Sequence, residues 1–92
     1  MSLEEAIKSD LKKALTEKNS AVVDVLRSIL SAAHNEAIAK KKAGKKLSEA
    51  ELAAVVRTQA KRRKESIEAF QKGNRPELAK KEAEELAMIE RY

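Results

Sequence analysis

Residues 48–76 read SEAELAAVVRTQAKRRKESIEAFQKGNRP, and the punctuation of this stretch decides the fold. Ser48 with Glu51 three residues later is a capping-box pattern, in which each side chain satisfies a backbone N–H of the other at a helix start. Leu47, just before it, is placed to staple onto Leu52. The spacing predicts a helix from Glu49 to Gln71. At the helical period, Leu52, Val56, Gln59, Ala60, Arg63, Ile67 and Phe70 share one side of it. Gly73 ends this helix, Asn74 is placed to cap the next, and Pro76 fits an early position where no donor is required. The following helix carries Leu78, Leu86 and Ile89 on one side and is expected to reach Tyr92.

Both stripes are interrupted by polar residues, Gln59 and Arg63 on the first helix and Glu82 and Glu85 on the second. Folding the pair about Gly73 sets Arg63 level with Glu82 to Glu85. A guanidinium buried alone carries a heavy desolvation penalty, so a partly buried Arg63–carboxylate pair is expected, one that fixes the register of the hairpin. The plainer alternative is that Arg63 snorkels to water from the edge of a thin helix.

Two further helices are legible upstream. Ser2 with Glu5 repeats the capping-box pattern and opens a helix through about Glu17, with Leu3, Ile7, Leu11 and Ala14 on one face. After the polar break Lys18-Asn19-Ser20, Asn19 or Ser20 is placed to cap a second helix running to about Lys42. Its stripe is Val22, Val25, Leu26, Ile29, Ala33 and Ala37. Gly44 suits a left-handed helix terminus in the loop that follows. Short loops imply antiparallel neighbours.

Composition agrees with this reading. The chain has 92 residues, enough for one small domain, and 16 of its 39 hydrophobic residues are Ala. Leu, Ile, Val and Phe total only 20, so the core is thin and its helices pack closely through alanine. Two Gly, one Pro and two aromatic residues argue against a sheet-rich fold. The expectation is an all-α protein, a small antiparallel bundle of about four helices forming a single domain over residues 1–92. The absence of Cys removes disulfide frameworks and thiolate chemistry. With no signal-peptide core and no apolar run long enough to cross a bilayer, a cytoplasmic protein is expected.

Residues that carry chemistry are sparse. His34 is the single histidine and falls on the flank of the second helix, so histidine metal clusters and Ser-His-Asp arrangements have little to work with. Ser28, Ser31 and Ser66 sit mid-helix without a nucleophile elbow. No phosphate-cradling glycine loop exists. Most carboxylates alternate with lysines at helical spacing, which reads as a salt-bridged surface. No catalytic residue, metal ligand or cofactor site is assigned.

The charge is unevenly placed. Residues 1–39 carry a net −1, residues 40–64 a net +8, and residues 65–92 a net −2. The middle segment holds Lys40, Lys41, Lys42, Lys45 and Lys46 around the loop, then Arg57, Lys61, Arg62 and Lys64 on the third helix. Arg57, Lys61 and Lys64 follow i, i+4, i+7 spacing on its solvent side, while Arg62 flanks the other edge of the apolar stripe. Such a segment favours polyanions, a nucleic acid or an acidic protein surface. Its plainer readings are a solvated face that keeps an Ala-rich domain dissolved and, for Lys40 to Lys42, charge favoured at a helix C-terminus. No aromatic interleaves the patch, which argues against base stacking and for phosphate contact with a folded RNA. A basic helix without Trp or bulky exposed apolar residues is a poor membrane binder.

From Ala54 onward the sequence resembles a known family. The run Val55-Val56-Arg57-Thr58-Gln59-Ala60-Lys61-Arg62-Arg63-Lys64-Glu65-Ser66-Ile67-Glu68-Ala69-Phe70, the turn Gln71-Lys72-Gly73-Asn74-Arg75-Pro76-Glu77-Leu78 and the segment continuing to Tyr92 are similar to the YqeY family of small bacterial proteins. So are Val25-Leu26-Arg27-Ser28-Ile29-Leu30-Ser31-Ala32-Ala33-His34-Asn35-Glu36 and the cap Leu47-Ser48-Glu49-Ala50-Glu51.

The resemblance implies a helical domain related to the carboxyl-terminal tail found in the glutamine-dependent aspartyl/glutamyl-tRNA amidotransferase, where it helps to hold tRNA. It attaches a carbon–nitrogen ligase label, with glutamine as amido-nitrogen donor, to a chain expected not to be catalytic alone. Partners expected from it are tRNA or another folded RNA, an acidic protein, or an amidotransferase-like complex. The alternative is an interaction domain without RNA binding. The family usually continues past the position of Tyr92 into a smaller helical subdomain opening with a Leu-Pro turn. This chain is expected to be the first subdomain alone. The oligomeric state is left open.

Overall fold

The computed structural model describes residues 2–41 and 46–92. The described residues form four α-helices and no strand: α1 (Leu3–Thr16), α2 (Ser20–Ala39), α3 (Glu49–Lys72) and α4 (Pro76–Ile89). Ser2 caps α1 by accepting the Glu5 N–H, and Asn19 caps α2 by accepting that of Val22. At α3 both halves of the capping box are present, with Ser48 Oγ accepting the Glu51 N–H and Glu51 accepting the Ser48 N–H at 2.8 Å. Glu49 reaches out of the first turn of α3 to accept the Leu3 N–H at 2.7 Å. One carboxylate thus serves the start of α1 and fixes it against α3.

The helix ends depart from expectation. α2 stops at Ala39, short of Lys42, because Lys40 caps it and Lys41 turns left-handed at φ 56°. Gly44, expected to take that conformation, lies outside the described residues. Gly73 does end α3 but at φ −82°, and it is Asn74 that goes left-handed, at φ 56°. Asn74 is therefore the terminus of α3 and not the cap of α4. Arg75 takes the cap position with no side-chain bond, and Pro76 opens the helix. α1 ends the same way at Lys18, with Asn19 N–H to Ala14 O at 2.9 Å and Lys18 N–H to Leu15 O at 3.2 Å closing a Schellman motif. α4 stops at Ile89, and the last residues turn so that Tyr92 N–H bonds Ile89 O at 3.1 Å.

The core is Ile7, Val25, Leu26, Ile29, Leu52, Val56 and Ile89, contributed by all four helices. α3 is ten residues longer than α4, so the first turns of α3 pass beyond the end of α4 and meet α1 and α2 there. The distal part of the α3–α4 hairpin carries Ile67 and Phe70, half-buried, with Ala79 nearly fully enclosed and Leu78 exposed. Leu78, expected on the same side as Leu86 and Ile89, faces out, and Ala79 is the residue enclosed at that turn. Arg63 Nη1 donates to Glu82 Oε2 at 3.1 Å and lies 3.5 Å from Glu85 Oε1, the three side chains about one-fifth exposed.

Candidate nucleic-acid interface

The basic residues divide into three groups. At the α2–α3 junction, Lys40 Nζ donates to Glu51 Oε2 at 3.1 Å and lies 3.7 Å from Glu36. The Glu51 hydrogen bond, then the charges of Glu51 and Glu36, hold its ammonium above its usual pKa. Lys46 lies 3.5 Å from Glu4, which also accepts from Lys8 at 2.7 Å. The Lys8 hydrogen bond, with the charges of Lys8 and Lys46, holds the Glu4 carboxyl below the ordinary range. Lys41 is exposed, and Lys42 and Lys45 lie outside the described residues. The paired members of this cluster are therefore occupied with carboxylates of the fold itself.

Arg62 stands apart. It lines a polar cleft between α2 and α3 with Asn35, Lys40, Glu51 and Gln59, on the side of α3 away from Arg57, Lys61 and Lys64. Those three line one concavity of about 480 Å³ between α3 and the end of α4, floored by Val56, Ala60 and Ile89. All three are exposed. Among the described residues Arg57 and Lys61 make no ion pair, and Lys64 has only a loose one, 3.9 Å from Glu90. Helical spacing brings the cations onto one face, and the antiparallel return of α4 supplies the opposite wall.

Tyr92 lines the same concavity, although no aromatic interleaves the basic residues in the sequence. Its hydroxyl donates to Asp10 Oδ2 at 2.5 Å. Burial first, then the hydrogen bond to Asp10 and its charge, push the Tyr92 hydroxyl up to about 12. In sequence Tyr92 is 28 residues from Lys64, so only the hairpin register reveals their proximity. His34 is exposed and borders a separate small cavity with Glu4, Lys8 and Leu30. Among the described residues no cluster of His, Asp and Glu is arranged to hold a metal ion, and no helix is long and apolar enough to cross a membrane.

The fold and this face define a small all-helical domain with a cationic concavity on its longest helix. The match of residues 4–92 to the family described as Yqey-like protein places it: the chain belongs to the YqeY family. It is 38% identical over 87 residues to "Altered inheritance of mitochondria protein 41, mitochondrial" of Kluyveromyces lactis, covering 95% of this chain and 46% of that protein. The proteins of the same name from Clavispora lusitaniae and from Saccharomyces cerevisiae are each 37% identical, over 95% and 94% of this chain and 49% and 45% of theirs. The chain thus spans about half the length of these relatives.

The cytoplasmic expectation is overturned, because these relatives are named mitochondrial proteins. The signals it rested on, the lack of a signal-peptide core and of an apolar run long enough to cross a bilayer, do not distinguish the two compartments. The relatives are yeast proteins, so they do not support the bacterial source expected from the resemblance either.

Proposed function

We propose that this domain is an accessory module that binds folded RNA, tRNA foremost, through the α3 face bearing Arg57, Lys61 and Lys64. The observation that carries the reading is the contrast in charge use. Lys40 and Lys46 are engaged by Glu36, Glu51 and Glu4, whereas Arg57 and Lys61 stand unpaired among the described residues beside a loosely held Lys64. Unpaired, exposed cations along one helix release counterions from a phosphate backbone on binding, without reading sequence. The resemblance to the amidotransferase tail supports tRNA as the first RNA to test.

No reaction is assigned to the chain. The carbon–nitrogen ligase label would require a nucleophile and a nucleotide site supplied by another chain. The location in the relatives' names directs the search for the RNA to mitochondrial tRNAs and transcripts. The test is binding of tRNA to the chain across a salt series with duplex DNA as competitor. Salt-sensitive binding that DNA displaces poorly is expected. No binding at low salt removes the reading and leaves a protein-interaction domain.

A further inference from the structure

The concavity holds more than positive charge. Ala53 and Ala60, seven residues apart on the same face of α3, keep the helix surface low there and give it an apolar floor, with the buried Val56 and Ile89 beneath. The Tyr92 ring packs against the core from one side, and its hydroxyl is held by Asp10, so the single ring in the site is fixed from its far end. Arg57, Lys61 and Lys64 rise beside it over about 10 Å of helix axis. Among the described residues Glu90 brings the one side-chain carboxylate lining the site. Its volume, about 480 Å³, lies within the range of small-molecule sites.

The small cavity on the other side of Tyr92 sets Asp10 and Glu17 among Lys13 and Arg91, and two further cavities lack the combination. The α2–α3 cleft contains Glu36 and Glu51 against Lys40, and the cavity beside His34 has its Lys8 and Lys46 engaged by Glu4. An apolar floor with one positioned ring and unpaired cations alongside suits a flat apolar group carrying phosphate. Single-stranded nucleotides are held in this manner, by a ring under the base and cations along the backbone.

Resting on the RNA-binding reading, we propose that this concavity receives one unpaired nucleotide of the bound RNA, its base against Tyr92 and the apolar floor and its flanking phosphates on Arg57, Lys61 and Lys64. The site would thereby favour RNAs with a loop or bulge over continuous duplex. An acidic helical segment of another protein is the competing occupant, and the test separates it.

Tyr92 is the one tyrosine in the chain, so its ring resonances in protein labelled at tyrosine report on the two cavities it lines, this one and a smaller one with Asp10, Lys13 and Arg91. Ala53→Leu tells the two apart because Ala53 lines only the first. The resonances are followed during titration with a 12-nucleotide single-stranded RNA, a fully paired duplex RNA of the same sequence, and a poly-glutamate peptide. RNA binding itself is read separately, from the mobility of labelled RNA. The single strand is expected to shift the ring signals saturably and more than the duplex. Tyr92→Leu is expected to weaken single-strand binding about tenfold, while Tyr92→Phe, which keeps the ring and loses the Asp10 bond, retains it. Ala53→Leu, which raises the floor and leaves Tyr92 intact, is expected to weaken it as well.

RNA that binds by mobility with the Tyr92 signals unmoved and Ala53→Leu without effect overturns the nucleotide site and leaves RNA binding standing. Equal ring shifts from duplex and single strand also overturn it. Ring shifts from the acidic peptide with none from RNA assign the concavity to a protein partner instead. Absence of RNA binding at low salt removes both readings.

Discussion

The Tyr92 hydroxyl donates to the Asp10 carboxylate at 2.5 Å, joining the turn after α4 to the middle of α1 across 82 residues of sequence. The bond closes the bundle, because α1 meets α2 and α3 over short faces and gains here a direct tie to the end of the hairpin. It also holds the Tyr92 ring at the edge of the cationic concavity.

Alkaline stability follows from that bond. Burial, then Asp10, raise the Tyr92 hydroxyl to about 12 from an ordinary value of 10. A group with a raised folded pKa contributes stability that is complete below its unfolded value and is lost as pH rises through the folded one. The loss therefore falls between about pH 10 and 12. Tyr92→Phe is expected to lower stability by about 1 kcal/mol at neutral pH and to fall less steeply across that window than the parent. Denaturant unfolding of both proteins at intervals of pH measures the difference, in which the lysine titrations common to both cancel. Parallel curves would mean the hydroxyl bond contributes nothing.

The Arg63 pair joins α3 to α4 at one level of the hairpin. Its three side chains are about one-fifth exposed, so the charges are largely desolvated and their removal is asymmetric. Arg63→Met is expected to cost about 1–3 kcal/mol by leaving Glu82 and Glu85 without their cation. Combining it with Glu82→Gln should cost less than the sum of the single changes, with a coupling of at least about 0.5 kcal/mol. A double-mutant cycle by urea unfolding decides this, and additive costs would show that Arg63 is solvated at its edge.

The helices and the α3–α4 register were legible because both depend on local chemistry. Ser2 and Ser48 with their partner glutamates mark helix starts, and polar residues inside apolar stripes mark where two helices share a charge. The helix ends were less legible. Gly73 ends α3 as its place in the sequence suggests, but Lys18, Lys41 and Asn74 occupy the left-handed positions that glycine would favour, so the turning residue is not marked by glycine. The site was half legible. Spacing gathered Arg57, Lys61 and Lys64, but Arg62 faces α2, the pairing of Lys40 and Lys46 with glutamates is tertiary, and Tyr92 enters only through the fold.

The left-handed termini predict a stabilising change. Lys18 at φ 56° bears the strain that a Cβ meets in this region. Lys18→Gly relieves about 1–2 kcal/mol of that strain against about 0.5–1 kcal/mol of added chain entropy, a net gain of about 0.5 kcal/mol that raises the melting temperature by roughly 2–4 °C in a domain of this size. Gly73→Ala offers a control. Its φ of −82° suits any residue, but a Cβ there would press on the Ala69 backbone carbonyl oxygen at 3.3 Å, so the change should bring no gain in stability. Thermal unfolding that ranks the two variants in reverse would contradict the terminus assignment.

Ser28 presents a simpler case. Its hydroxyl oxygen on α2 is buried and has no hydrogen-bond partner among the described residues. A buried hydroxyl without a partner carries its desolvation penalty uncompensated, so Ser28→Ala is expected to stabilise by about 1 kcal/mol. Denaturant unfolding checks it, and a loss of stability would reveal a bonding partner for the hydroxyl.

Salt dependence separates the two basic regions. Arg57, Lys61 and Lys64 are exposed, and replacing all three with Ala leaves the helix intact because Ala is the better helix former. If they contact phosphates, the slope of log affinity for tRNA against log salt should flatten by roughly two to three units in the triple variant. Lys40→Ala with Lys46→Ala should change that slope by under about one unit, because these ammonium groups are engaged by Glu51, Glu36 and Glu4. Glu90→Gln removes the carboxylate 3.9 Å from Lys64 and should tighten binding a few-fold at low salt, less at high salt where the charge is screened. The same slope in parent and triple variant, with both folded, would remove the α3 face from the interface. A larger effect from Lys40 and Lys46 would move the interface to the α2–α3 junction.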